Sequence, residues 1–409
     1  MAYLTVDIGG SPGINCRGFC EYCYFKNVKG TQPLGCRYCL PFKKGCDYCT
    51  RGVKEEYSGF KDLKIIADEV LANLQTQRGD IERITISGGG DPSCYPRFTE
   101  LIELLSSMEA PLHIGYTSGK GWDDPAVGDL LIENGLSEIS FTVFASDPAL
   151  RRHYMHDPTP EASLKIVERL CETADVYAAA VIIPGINDGD VLEKTCEWLD
   201  ASGAKGLILM RFANAAEQGL ILGNGPVIKN QQVQSVESFR DIIAELNGKS
   251  DMKIAGTPLW DPDIGSPFAL ISEPDLIQKL PRVSRKATVI SGSVAAPYIQ
   301  KILSTCGSDV SVVPVNKEIA CLITTGDLQT LELSALERVV IIPGRAFVFD
   351  PEAQKILSRD GVEREVIRGP EMLTADAETS MGMTRDDVLA LEMEGFSELI
   401  QTINRYGRK

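Results

Sequence analysis

Cys16, Cys20 and Cys23 stand in a C-x3-C-x2-C spacing, and Cys36, Cys39, Cys46 and Cys49 follow as two C-x2-C pairs separated by six residues. Thiolates are ligands for soft metals and iron–sulfur clusters. Three of them can hold three irons of a [4Fe–4S] cube, leaving one iron open to chelate a small molecule through an amine and a carboxylate. A zinc knuckle or loose thiols are the plainer alternatives. The second group offers four thiolates to one tetrahedral ion, either zinc or a rubredoxin-like iron. That set leaves no position open, so its expected job is structural: pinning a loop over 28–59 that has no core of its own. An auxiliary [4Fe–4S] cluster competes with this reading. A loop tied there is expected over the substrate entrance. Cys94, Cys171, Cys196, Cys306 and Cys321 are scattered, and Cys171 and Cys196 read as small core residues of amphipathic helices. The 3 histidines, His113, His153 and His156, exclude a histidine-rich metal site.

Something must hold these loops in place. Leu4 to Ile8 reads as a short strand, and apolar residues from Lys61 to Leu74 recur at helical spacing. The alternation then repeats. Strands are expected at 84–87, 112–117, 138–144, 176–183 and 206–212, and helices at 97–108, 125–135, 161–173, 189–201 and 231–246. Six β/α units imply a parallel sheet. Six is two short of a closed barrel, so the expected fold is α/β with a partial (β/α)6 barrel over 1–255. The stretch 256–281 is proline-rich and reads as a linker. From 282 to 409 short apolar runs ending in Gly, Pro or Thr predict a second, smaller α/β domain, closed by a helix over 385–406.

In a parallel sheet, chemistry collects at the C-terminal strand ends. After the 84–87 strand comes SGGGDP, with Gly88, Gly89, Gly90 and Asp91. After the third strand comes YTSGKG, where Thr117 and Ser118 are able to bind ribose or a carboxylate. The fourth strand carries Thr142 and ends near Ser146. The fifth runs into IIPGIND with Gly185, and the sixth into MRFAN with Arg211 and Asn214. Each motif alone is a turn or a cap. All of them at successive strand ends is a stronger signal.

The three-cysteine spacing resembles the signature of the radical S-adenosylmethionine (SAM) superfamily, and Tyr22 stands where an aromatic commonly precedes the third cysteine. The resemblance implies that the open iron binds SAM and that electron transfer cleaves it to a 5′-deoxyadenosyl radical. SGGGDP resembles the Gly-Gly-Glu motif that holds the SAM amine, with Asp91 near the usual Glu. PGIND resembles the adenine-binding turn. Tyr24 is proposed within reach of the open iron, against the plainer reading of a packing aromatic. Both cysteine groups, SGGGDPSCYP, PGIND and the C-terminal domain together resemble the methanogenesis marker protein ten family. This family implies a protein arginine C-methyltransferase acting on the alpha subunit of methyl-coenzyme M reductase, with an electron donor for the cluster and cobalamin as methyl carrier. An sp3 carbon is not nucleophilic, so methylating it calls for hydrogen abstraction beside a methyl donor. The D-x-H-x2-G cobalamin signature is absent, and no histidine lies beyond His156. Cobalamin in the C-terminal domain is therefore expected base-off without a histidine ligand, contacted by Ser291, Ser293, Thr324 and Gly326 and covered on its lower face by Leu322.

A net charge of −16 disfavours nucleic acid as a partner. No apolar run approaches a membrane span, and MAYLTVDIGG lacks the features of a signal peptide, so a cytoplasmic location is expected. A radical SAM enzyme that modifies peptides without cobalamin is the alternative enzyme reading, and a metal-stabilised binding module the alternative outside enzymes.

Overall fold

The computed structural model describes residues 2–29, 33–45, 59–76, 80–258, 260–265, 267–307 and 309–409. Within them the chain forms two sheets in which every paired strand runs parallel to its neighbour. The first has seven strands in sequence order: β1 (Ala2–Asp7), β2 (Ile81–Ser87), β3 (Leu112–Thr117), β4 (Leu136–Thr142), β5 (Asp175–Ile182), β6 (Gly206–Arg211) and β7 (Lys253–Thr257). Between them lie α1 (Leu63–Thr76), α2 (Phe98–Ser106), α3 (Val127–Glu133), α4 (Pro160–Cys171), α5 (Gly189–Ser202) and α6 (Val236–Asn247).

Six successive crossovers of one hand keep the helices on one face, and the sheet curls as a partial barrel. The outward residues of the strands, among them Leu4, Ile84, Ile86, Ile114, Ile139, Val176 and Leu209, pack against Ile66, Leu101, Ile166, Leu199 and Ile243 of the helices. Each such fully buried aliphatic side chain contributes about 1.5–3 kcal/mol. The opposite, inner face is covered at Ala179, Ile208 and Ala255 by Ala377 and Met381 of α10 (Ala377–Met381), a short helix from the far end of the chain. Lys253 Nζ, at the start of β7, donates to Ser380 O at 2.7 Å.

The second sheet has the order β11 (Glu365–Arg368), β10 (Val339–Ile342), β8 (Ala287–Gly292), β9 (Val310–Val315). Its helices lie on both faces. Residues of α7 (Ala296–Cys306) and α11 (Arg385–Tyr406) pack with Val289 and Ile341. Residues of α8 (Thr325–Gln329) and α9 (Asp350–Leu357) pack with Ile290 and Val340. Pro314 lies in β9, at the sheet edge, where a missing N–H does not interrupt the ladder. α11 begins at a capping box: Thr384 Oγ1 donates to Asp387 Oδ2 at 2.6 Å and accepts from Asp387 N at 3.2 Å.

The six expected β/α units are present, and a seventh strand, β7, follows the last of them. KIAGT holds few large apolar residues, because a Cβ on Gly256 would strike Ile243 and Phe239 of α6. The prolines of 256–281 also hid real packing: Phe268, Ala269, Leu270, Ile277 and Leu280 are buried in the second core. The apolar run IACLITTGDL is a tight turn at Ala320–Leu322 followed by α8. Among the described residues no helix is long and apolar enough to cross a membrane.

Candidate active site

The loop after β1 carries Cys16, Cys20 and Cys23 and interlocks with the loop after β2. Gly90 N donates to Gly9 O at 3.1 Å, and Asp91 N to Asn15 O at 3.0 Å. The glycine run is required by this approach: a Cβ on Gly88 would lie 2.6 Å from Gly9 O, and one on Gly89 would collide with Gly10 O. Gly90 would meet Phe60 and Asn15. The backbone of Gly88–Gly90 therefore lies directly beside the cysteine loop.

Asp91 is buried, and its carboxylate is filled by the protein. It accepts from Ser93 N at 3.0 Å, Ser93 Oγ at 2.7 Å, Thr117 Oγ1 at 2.6 Å, Ser118 N at 2.9 Å and Ser118 Oγ. Asp91, Thr117 and Ser118 thus join the loops after β2 and β3 through one another, which leaves the hydroxyls of Thr117 and Ser118 engaged as donors.

Burial pushes the thiol of Cys16 up to about 12, with Asp91 adding to the effect, and raises those of Cys20 and Cys23. Such thiols ionise on binding a metal, which expels the proton. Among the described residues no three histidine, cysteine or acidic side chains converge as ligands of a single ion do. Cys16, Cys20 and Cys23 are free thiols along one rim loop, and as a donor set three thiolates suit an iron–sulfur cluster. A second observation agrees. Tyr22 stacks on Phe144 (4.8 Å between ring centroids, 8° between planes), and its buried hydroxyl, beside Cys20, has no hydrogen-bond partner of ordinary geometry among the described residues. The group it faces is the Cys20 thiol, which becomes a stronger acceptor once ionised as a metal ligand. The Tyr24 hydroxyl accepts from Ala213 N at 3.4 Å, so it joins the cysteine loop to the end of β6; burial pushes this phenol to about 12.

Two cations at this rim escaped the sequence reading. Lys120, in the same YTSGKG stretch as Thr117, is wholly buried and donates to Gly18 O at 3.0 Å and Met155 O at 2.9 Å. Arg151 is equally buried. It pairs with Asp157 at 2.7 Å and donates to Thr142 O, Val143 O and Ser118 O. Arg151 opens a π-helical turn, Arg151–Met155, which packs on the cysteine loop through Glu21 N to Tyr154 O at 2.7 Å. The signal for Lys120 was its position in a strand-end loop. Arg151 had no local signal.

At the remaining strand ends, Thr142 contributes its carbonyl to Arg151, and Ser146 N donates to Thr195 Oγ1 at 3.1 Å. Gly185 sits at φ +76 with open space where a Cβ would be. Its turn is held by Asp188 Oδ1, which accepts from Gly185 N at 2.8 Å, and by Asn187, another residue the sequence reading passed over, which donates to Phe144 O and Val181 O at 2.9 Å. Asn214 holds its own loop, donating to Ile228 O at 2.8 Å and accepting from Ile228 N at 3.1 Å. Arg211 donates to Gln234 O at 2.7 Å and forms an ion pair with Glu318 of the second domain. Next to that pair, Glu318 N donates to Glu217 O at 2.8 Å, and Lys317 donates to Ala216 O. The rim of the barrel and the loop after β9 are therefore one bonded unit.

In the loop of the second cysteine group, Cys39 Sγ accepts from Cys36 N at 3.3 Å and Gly45 N at 3.4 Å. Cys46 and Cys49 lie outside the described residues. The described part docks on the second domain: Arg37 and Tyr38 reach Glu371, Lys44 pairs with Glu352 at 2.9 Å, and Gly35 packs directly on Phe349.

In the second sheet the strand order reverses between β8 and β10, the position where open parallel sheets bind ligands. A cavity of about 250 Å³ lies there, walled by Ser291, Val294, Ile319, Pro343 and Arg345, with Thr257 from the end of β7. Of the residues expected to contact cobalamin, Ser291 lines it; Ser293, Leu322, Thr324 and Gly326 do not. Thr324 is the N-cap of α8, its hydroxyl donating to Asp327 Oδ2 at 2.9 Å, and Gly326 lies inside that helix. Leu322 points toward Gly219, where a Cβ would stand 3.0 Å from its Cδ1.

Residues 11–199 match the family model of the Radical SAM superfamily, so this part of the chain is a radical SAM domain, which implies a [4Fe–4S] cluster and SAM. No curated protein matches the chain. Among solved structures, SuiB of Streptococcus suis bound to the precursor peptide SuiA is 11% identical at a TM-score of 0.42, over 67% of this chain and 52% of that one. A radical SAM methyltransferase from Sphaerobacter thermophilus is 14% identical at 0.36, over 62% and 64%. The coproporphyrinogen III oxidase HemN of Escherichia coli is 15% identical at 0.38, over 60% and 51%. The chain thus spans about half the length of SuiB and HemN.

Proposed function

Starting from the radical SAM domain, we propose that the chain is a methyltransferase that C-methylates an arginine side chain of a protein, the methyl-coenzyme M reductase alpha subunit, with SAM and cobalamin. The observation that carries the enzyme reading is the placement of Cys16, Cys20 and Cys23. They lie on the loop after β1, at the strand ends where the backbone of Gly88–Gly90 and the turn at Gly185 also arrive. In this reading those three thiolates hold the cluster, Gly88–Gly90 receive the SAM amine, and Gly185 gives the adenine room. The cluster supplies the electron that cleaves SAM. Asp91, Thr117 and Ser118 set the spacing between loops, and Tyr22 lends its hydroxyl to a cluster sulfur.

Cobalamin, the arginine and the protein substrate are the finer part of the proposal and rest on the family resemblance. The cleft between β8 and β10, with Ser291 and Arg345 on its wall, is the place for the cobalamin. One observation favours the reading without cobalamin: that cleft is small, and four of the five residues expected to touch the cofactor stand off its wall.

Anaerobic incubation of the reconstituted chain with SAM and a reductant, with and without cobalamin, tests both. 5′-Deoxyadenosine and a 14-Da gain on an arginine-containing peptide only with cobalamin are expected. Absence of 5′-deoxyadenosine rejects the enzyme, and cobalamin-independent peptide modification rejects the finer reading.

A further inference from the structure

Lys120 is 0% exposed, and its ammonium faces three groups: Gly18 O at 3.0 Å, Met155 O at 2.9 Å and Cys20 Sγ at 3.8 Å. Among the described residues no carboxylate pairs with it within 4.0 Å. Arg151, as deeply buried in the neighbouring turn, has its charge matched by Asp157 at 2.7 Å and its remaining donors taken by backbone carbonyls. A buried cation without a counter-charge is costly, and sequences retain one where a negative charge arrives. At Lys120 the adjoining group able to bring that charge is Cys20, as a thiolate on an iron–sulfur cluster.

We propose that Lys120 is the fixed counter-charge of that cluster, a positioning residue that favours loading of the cysteine loop and raises the cluster's reduction potential. The inference rests on the reading that Cys16, Cys20 and Cys23 hold a [4Fe–4S] cluster. Three thiolates give the cluster a net negative charge, and one-electron reduction adds another. A buried cation 3.8 Å from a ligand sulfur stabilises the reduced form more than the oxidised form. The same ammonium joins Gly18, two residues before Cys20, to Met155 at the end of the π-helical turn, so charge and loop geometry are set by one side chain.

The test uses the full chain and its Lys120→Met, Lys120→Gln and Lys120→Arg variants, reconstituted anaerobically with iron and sulfide and titrated with dithionite under electron paramagnetic resonance. Gln retains amide donors for the two carbonyls while removing the charge. In both neutral variants the ratio of reduced to oxidised cluster at the wild-type midpoint should fall about tenfold or more, a midpoint lower by about 59 mV or more, while Arg stays within about threefold. Neutral variants that take up no cluster, beside an Arg variant that does, also support the proposal. Neutral variants with the wild-type midpoint overturn it, as does an Arg variant that loads no better than the neutral ones. A wild-type chain that takes up no [4Fe–4S] cluster instead overturns the underlying reading.

Discussion

The C-terminal edges of the two sheets are made of opposite materials. At the barrel rim, Asp91, Lys120, Arg151, Asp157 and Asn187 are buried and bonded to one another's loops. At the cleft of the second sheet Val294, Ala295, Ile319, Ala320 and Pro343 wall the crevice, and polar groups such as Ser291, Arg345, Glu318 and Asp376 also line it. Both are parallel α/β sheets with loops at the same end of the strands. The difference lies in how the strands are ordered. Seven strands in sequence order bring every loop to a common rim, where many polar groups meet and satisfy each other. A reversed order opens one crevice between two neighbours, where few loops meet and aliphatic residues suffice. The rim is built to hold charge and the cleft to hold an apolar surface.

The largest expected effect is at the rim. Replacing Cys16, Cys20 or Cys23 by Ala should reduce 5′-deoxyadenosine formation to that of a protein-free control, whereas Cys36→Ala should spare it in whatever fraction remains folded. Cleavage surviving the first set would remove the distinction between the two cysteine groups. Next comes the buried ion pair. Asp157→Ala leaves Arg151 uncompensated and should cost about 3–5 kcal/mol in denaturant unfolding. A loss below about 1 kcal/mol, the size of a surface pair, would mean that the rim is wetter than its burial indicates.

The cleft should respond in the opposite way. Ala320→Phe fills an apolar wall and should leave SAM cleavage unchanged while reducing cobalamin retained after gel filtration to a trace. Unchanged retention would place the cofactor elsewhere, and lost cleavage would show that the two edges act as one site. The smallest effect is expected at the surface pair that docks the second cysteine loop on the second domain. Glu371→Ala should change stability by about 0–1 kcal/mol, less at high salt, as read by thermal melting.

The barrel was legible because its outward-facing positions repeat: Ile84 and Ile86, Leu112 and Ile114, Val176 and Ala178 give the period of a strand, and α2 and α4 that of a helix. β7 was not, since its Gly256 answers to α6 rather than to a pattern along the chain. The site split in the same way. Residues that announce themselves by spacing, the cysteines and the glycines of SGGGDP, could be read. Asp91, Thr117 and Ser118 were found as a group, but their use within the protein was not, because hydrogen bonds across 26 and 27 residues leave no local trace. Arg151 and Lys120 are read as surface charges in a linear sequence, and their burial is a property of the assembled loops. In the second domain the hydroxyl of Thr324 caps its own helix through Asp327, a local use that the run of apolar residues before it does not announce.

The short helix α10 gives part of the barrel a floor. It lies on the inner face with Met381 against Gly206 and Ser380 held by Lys253, both at the starts of their strands. At the starts of β6 and β7 the inner face of the barrel is thus stoppered by a segment that follows the second sheet in the chain, so a substitution that loosens that segment also uncovers the floor under these two strands.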